Sequence, residues 1–140
     1  VASLLRHAAD KDLVNIRILP DDVRPFLERL PDGCLARIFV LFPDPWPKRR
    51  HADRRIVQYE TLEKFNRILK PGGELRLATD DPGYIRWMLA RATGRTDLRW
   101  TARRPADWRE RPADWPQTRY EAKAIAEGRA PAFLRFLKSE

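Results

Sequence analysis

Ile38-Phe39-Val40-Leu41-Phe42 is a short, unbroken apolar run with Pro43-Asp44-Pro45-Trp46-Pro47 directly behind it. A run of that length bounded by a turn has the form of a strand buried on both faces, as parallel strands of α/β proteins are. The proline-rich segment then emerges at the strand's carboxyl end, where open α/β sheets place their ligands. Pro43, Pro45 and Pro47 alternate with Asp44, Trp46 and Lys48, which stiffens the backbone and pushes the residue before each proline to extended geometry. The acid, the indole and the amine are therefore expected to be held rather than dangling.

Helical and strand patterns alternate along the rest of the chain, which implies crossover units, an α/β fold and a largely parallel sheet. Ser3–Ala9 reads as the end of a helix and Val14–Leu19 as a strand. Pro20-Asp21-Asp22 turns that strand into a helix reaching about Leu30, with Asp21 or Asp22 as N-cap, and Pro31-Asp32-Gly33 breaks it. Ile56, Tyr59, Leu62, Phe65 and Leu69 recur at helical spacing, so an amphipathic helix is expected over Arg54–Leu69, ended by Pro71-Gly72-Gly73. Glu74–Ala78 reads as a strand, Pro82–Ala92 as a helix and Leu98–Thr101 as an edge strand. Residues 103–118 form a Pro/Trp-rich connector in which PADW occurs twice, at Pro105–Trp108 and Pro112–Trp115. Two copies are too few for a repeat architecture. Their tryptophans either cover the sheet edge or help contact RNA, and covering is the favoured reading. Tyr120–Gly128 reads as a short helix and Ala132–Leu137 as a final strand.

The loop's chemistry suggests a nucleic-acid partner. Trp46 offers a stacking platform for a base, and Asp44 can accept from the N–H groups of a guanine edge or from a cation. Lys48, Arg49, Arg50, Arg54 and Arg55 would neutralise phosphates. The bland alternative is a Pro-Trp-Pro cap on the core beside a solvated basic face. Charge agrees with the first reading: 28 Lys+Arg against 20 Asp+Glu give a net +8, and a basic surface attracts RNA through counterion release. The 140 residues, 43% of them hydrophobic, allow one domain with a modest core. No apolar run is long enough to cross a membrane, and no signal-peptide pattern is present. Cys34 is the only cysteine, so no intrachain disulfide forms, no zinc spacing exists, and a reducing, cytoplasmic compartment is expected.

PDPWPKRRHADRRIVQ, Pro43–Gln58, resembles the bacterial tRNA (guanine-N7)-methyltransferases, whose hallmark is a PDPW turn followed by Lys, a His/Arg-rich stretch and RRIVQ. The resemblance continues through LKPGGELRLATDDPGY, Leu69–Tyr84, and TRYE, Thr118–Glu121. The PGG turn alone is weak evidence; PDPW with RRIVQ is highly specific.

The resemblance implies a Rossmann-like methyltransferase sheet, S-adenosylmethionine as cofactor and tRNA as substrate, with methyl transfer to the variable-loop guanine at position 46. Guanine N7 carries a free lone pair and no proton, so attack needs no general base. Catalysis can come from holding donor and acceptor in line, with electrostatic help for the cationic product. The resemblance places the active-site acid, also a cofactor contact, at Asp44, and a second cofactor-binding acid at Asp22, with Asp21 a less favoured register. It carries tRNA binding onto Lys48, Asp80, Thr118, Arg119, Tyr120 and Glu121. Asp22 also reads as a helix cap and Asp80 as a helix start. His7 and His51 receive no role.

The departure from the family lies at the front. Before the Val14 strand such enzymes carry a strand, a Gly-rich loop, a helix and a second strand ending in a ribose-binding acid. The six glycines here make no GxGxxG turn. In the usual strand order 3-2-1-4-5-7-6, the first two strands are absent, so the sheet is incomplete. The Ile38–Phe42 edge is then left unpaired, an invitation to pair with another chain. Closure by Val14–Leu19, self-association and a longer natural protein are the three expectations, the last favoured. Two functional readings remain: the larger part of a tRNA methyltransferase, or an RNA-binding chain that does no chemistry. A third, methylation of an adenine amino group, is suggested by the kinship of DPW with Asp/Asn-Pro-Pro-aromatic turns, and RRIVQ and TRYE argue against it.

Overall fold

The computed structural model describes residues 1–140. Four strands form one sheet in the order β1-β2-β4-β3, comprising β1 (Leu35–Leu41), β2 (Leu69–Thr79), β3 (Leu98–Trp100) and β4 (Ala132–Lys138). β1 and β2 are parallel, but β4 runs antiparallel to both β2 and β3. The largely parallel sheet expected from helix–strand alternation is thus corrected. Only the β1–β2 crossover is of that kind, because β4 returns between β2 and β3. The order matches the 4-5-7-6 half of the methyltransferase sheet.

Strand alternation gives the sheet two unlike faces. Leu75, Leu77, Leu134 and Phe136 are sealed on one, with Ile38 and Val40 packed beside them. Helices α2 (Val23–Arg29), α3 (Tyr59–Ile68) and α4 (Pro82–Ala92) close this core through Leu27, Leu62, Phe65, Tyr84 and Met88. The other face carries Ala78 and Phe133 under Trp115, whose ring meets Phe39 and Phe133 edge-on at 5.6 and 5.5 Å. Trp115 is 1% exposed and the half-buried Trp108, on the short helix α5 (Ala106–Arg109), packs against the main core. Both connector tryptophans therefore pack inward, but Trp115 covers a face of the sheet and not its edge.

Three expectations fail. Phe39 is 44% exposed and Arg37 lies open, so β1 is not buried on both faces. Val14–Leu19 is not a strand: it pairs with no other segment, Val14 is exposed, and Arg17 Nη1 donates to the carbonyls of Val14 and Ile16. Extended residues become a strand only by exchanging backbone hydrogen bonds with a partner, and in this segment Ile16 and Ile18 instead line an open apolar cleft with Leu5 and Ala8 of α1 (Ala2–Asp10). It does not close the free edge of β1. Finally, the helix expected from Arg54 starts at Tyr59, after a 3₁₀ turn over Arg49–Arg54. Tyr84 Oη accepts from Val57 N–H at 3.3 Å and Trp87 Nε1 donates to Val57 O at 2.7 Å, which draws residues 55–58 out of the helix. No helix is long and apolar enough to cross a membrane.

Candidate active site

The loop after β1 is held at both ends. Phe42 N–H donates to Ala78 O at 2.8 Å, which ties the loop's start to the carboxyl end of β2. Phe42 and Trp46 have φ of +49° and +43°, so the extended geometry expected before Pro43 and Pro47 does not occur. Such left-handed residues cost about 1–3 kcal/mol each and persist only where their surroundings over-determine them. At Trp46 the determinant is Arg55, which donates from Nε to Pro45 O at 2.8 Å and from Nη2 to Trp46 O at 3.3 Å; Phe42 is held by its own N–H on Ala78 O.

Asp44 is exposed and its carboxylate accepts no hydrogen bond from the protein. It lies where two open clefts meet. One, of about 380 Å³, is lined by Arg24, Pro43, Asp44, Trp46, Arg54 and Ile56. The other, of about 370 Å³, includes Asp44, Thr79, Asp80, Tyr120, Lys123 and Arg129. The first is bordered by guanidinium groups and an indole. Arg54 lies over the Trp46 ring at 4.9 Å and His51 meets that ring edge-on at 5.8 Å. In the second, Asp80 pairs with Arg129, which also pairs with Glu127. Those two carboxylates hold the Arg129 guanidinium above its ordinary value.

Asp22 is the N-cap of α2, accepting from Arg24 N–H at 3.0 Å and pairing with the Arg24 guanidinium at 3.2 Å. Asp21 accepts from Asp22 N–H at 2.7 Å, so the capping residue is Asp22. The cap of α4 is Asp81, which accepts from Tyr84 N–H at 2.6 Å; Asp80 is left to face the crevice. Lys48, Arg49, Arg50 and Arg54 are exposed along the 3₁₀ turn. Arg55 is a correction: it is 7% exposed, committed to the loop carbonyls, and over the Tyr84 and Trp87 rings at 5.0 and 4.6 Å. A group so enclosed does not meet a phosphate.

Thr118 caps α6 (Arg119–Ala126), its hydroxyl accepting from Glu121 N–H at 3.1 Å, an arrangement that T-x-x-E sequences favour. Tyr120 projects into the second cleft, while Arg119 lies over its ring at 5.2 Å. Glu121 is buried. One of its carboxylate oxygens accepts from Arg111 Nε at 3.0 Å and the other has no protein partner. Reading the sequence alone misses Arg24, Lys123, Arg129, Tyr84 and Trp87. Tyr84 and Trp87 stand three apart on one helix, a spacing that puts two rings on one face; the cations carry no local signal separating them from the chain's other cations.

The strand order and the acidic, aromatic loop at the carboxyl ends of β1 and β2 define the class: a Rossmann-like α/β fold of the S-adenosylmethionine-dependent methyltransferases. An rRNA methylase from Streptococcus thermophilus shares it with a TM-score of 0.61 at 13% identity, over 99% of this chain and 67% of that one. An S-adenosylmethionine-dependent O-methyltransferase from Thermotoga maritima shares it with a TM-score of 0.52 at 14% identity, over 96% and 44%. The sequence model of the family described as "Putative methyltransferase" matches residues 1–134, and the chain belongs to that family. It is 58% identical over 136 residues to a tRNA (guanine-N(7)-)-methyltransferase of Rhodospirillum rubrum, 97% of this chain and 53% of the relative. A protein of the same name from Paramagnetospirillum magneticum is 52% identical over 97% of this chain and 57% of its own length. The chain spans about half the length of these relatives.

Proposed function

We propose that the protein transfers a methyl group from S-adenosylmethionine to N7 of guanine in tRNA, at the variable-loop position 46. The observation that carries this reading is the unpaired Asp44 carboxylate, held by an anchored loop at the junction of two clefts. The similarity to proteins named for this reaction, across nearly the whole chain, supports it.

When bound, S-adenosylmethionine supplies a methyl group activated on a sulfonium. Its adenine amino group and its sulfonium would suit carboxylates, and Asp22 for the first and Asp44 for the second are both exposed. Asp44 then faces positive charge on both sides of the reaction, first on the donor and afterwards on the methylated guanine. A fixed carboxylate at that point costs no reorganisation during transfer. Trp46 offers a ring edge and face for the base. Lys48, Arg49, Arg50 and Arg54 line an exposed path for phosphates, and Asp80, Thr118, Arg119 and Tyr120 border the tRNA side; Glu121, 3% exposed and paired with Arg111, lies behind them and does not meet the tRNA. The same proposal puts the protein in the cytoplasm. Self-association through the free edge of β1, beside an apolar groove containing Phe26, Leu35 and Ile38, belongs to the same proposal; a sedimentation run showing only monomer overturns it.

The test is incubation with unmodified tRNA and methyl-labelled S-adenosylmethionine, with 7-methylguanosine mapped by strand scission. Asp44→Ala should abolish labelling while salt-sensitive tRNA binding is kept; unchanged labelling removes Asp44 from the mechanism. Wild-type chain that binds tRNA without labelling it favours the RNA-binding reading.

A further inference from the structure

We infer that Arg55 is the positioning residue that sets Asp44 for transfer, by gripping the backbone of the loop rather than by touching RNA. Its consequence for turnover rests on the methyl-transfer reading; its consequence for the loop does not. Asp44 sits between two anchors, the Phe42 N–H bonded to Ala78 O and the Pro45 carbonyl bonded to Arg55. Between them Pro43 and Pro45 have φ locked by their rings. Only the two dihedrals of Phe42, Pro43 ψ, the two dihedrals of Asp44 and Pro45 ψ remain free, and the second bond from Arg55 to Trp46 O restrains the residues beyond.

The grip needs a guanidinium. Two donors of one planar fork reach carbonyls of successive residues, and the plane lies over Tyr84 and Trp87; an ammonium offers no fork and no flat face. α4 is in turn locked to the same segment, since Tyr84 Oη accepts from Val57 N–H and Trp87 Nε1 donates to Val57 O. Gln58 Nε2 donates to Ala52 O at 2.7 Å, holding the intervening 3₁₀ turn. The Arg54-Arg55-Ile56-Val57-Gln58 stretch is therefore split: Arg54 is exposed against Trp46, whereas Arg55, Val57 and Gln58 face inward and buckle the catalytic loop to α4 and to its own turn.

Arg55→Lys separates the two roles, because a phosphate contact survives exchange of one cation for another and a two-carbonyl grip does not. In the variant, the backbone amide resonances of Asp44 and Trp46 should shift and broaden while those of Leu75 and Leu77 stay in place. Where the wild-type chain forms 7-methylguanosine, the variant's kcat should fall by about 10²-fold, the scale of an ångström's misplacement, with KM for tRNA and the salt slope of binding unchanged. Arg54→Ala should instead lower that slope by about 1. Unmoved Asp44 and Trp46 resonances, or an unchanged kcat in Arg55→Lys where the wild-type chain labels tRNA, overturn the inference. If the lysine variant does not fold, Trp87→Leu removes one wall of the stack and is read in the same way. A wild-type chain that never labels tRNA defeats the methyl-transfer reading alone, and the resonances still decide the role of Arg55.

Discussion

On one face of the sheet Leu75, Leu77, Leu134 and Phe136 are fully enclosed by apolar side chains of three helices. On the other, the same strands present Arg76, Arg135, Glu74 and Phe133 to a connector that contributes Trp115 and Asp114. Arg76 is 1% exposed there. It donates to Glu74 at 2.7 Å and to both oxygens of Asp114 at 3.0 and 2.7 Å, with the Phe39 and Trp115 rings at 5.4 and 5.6 Å. Glu74 also pairs with Arg135 at 2.6 Å and Arg37 at 3.7 Å. The helical face is closed by area removed from water, which asks for no direction; the connector face is closed by oriented charge, which does. The difference teaches what orients the connector: the Arg76 guanidinium of β2 holds Asp114 beside the packed Trp115, and Arg111 then ties the connector to Glu121 of the TRYE helix.

The largest effect that can test this contrast lies on the apolar face. Phe136→Ala removes a fully enclosed ring and should lower unfolding stability by about 3–5 kcal/mol, read as a lower urea midpoint with the connector's contacts unchanged. A smaller loss is expected on the charged face. Arg76→Ala removes hydrogen bonds between charged groups, a change of about 1–3 kcal/mol, since Glu74 keeps Arg135 and Arg37. The sharper readout is local: Trp115 emission should shift to the red in Arg76→Ala and not in Phe136→Ala. Equal emission in both variants would mean that the tryptophan's packing, not the ion pairs, holds the connector.

Much of the apolar face is legible in the sequence, because Leu75-Arg76-Leu77 and Leu134-Arg135-Phe136 alternate and alternation is what a half-buried strand needs. The same rule misleads at Val14–Leu19, where Val14, Ile16 and Ile18 alternate but no neighbouring strand supplies hydrogen bonds. At the candidate site Asp44 and Trp46 stand out through the proline spacing. Arg55 does not, since Arg49, Arg50, Arg54 and Arg55 are alike on paper and only the fold turns one inward. Lys123 and Arg129 reach the crevice through the packing of α6, a long-range contact with no local pattern. The T-x-x-E and D-x-x-Y caps are readable as helix starts; which aspartate of each pair caps, Asp22 and Asp81, is decided by backbone direction.

The smallest expected effect is on pH, and its sign comes from the charged face. Burial pushes the Glu74 carboxyl up, but hydrogen bonds and charge from Arg135 and Arg76 outweigh it and hold Glu74 below its ordinary value. The Arg76 hydrogen bonds likewise hold Asp114 low. A carboxylate depressed in the folded state contributes its stabilisation in full above its unfolded value, about 4 for both residue types. As pH falls below that, the unfolded chain takes up protons first, and the contribution is gone once the folded carboxyls are protonated too. The urea midpoint of the wild type should therefore decline below about pH 4 more steeply than that of Arg76→Ala, in which both carboxyls lose a partner. Glu28, Asp97 and Asp107 are also held low by Lys or Arg neighbours or backbone N–H groups, and their share cancels in the comparison of the two proteins. Phe136→Ala should keep the wild-type slope at a lower midpoint, because nothing on the apolar face titrates in that range. Parallel slopes for wild type and Arg76→Ala would show that acid loosens the molecule elsewhere, and that the connector face is held by Trp115 alone.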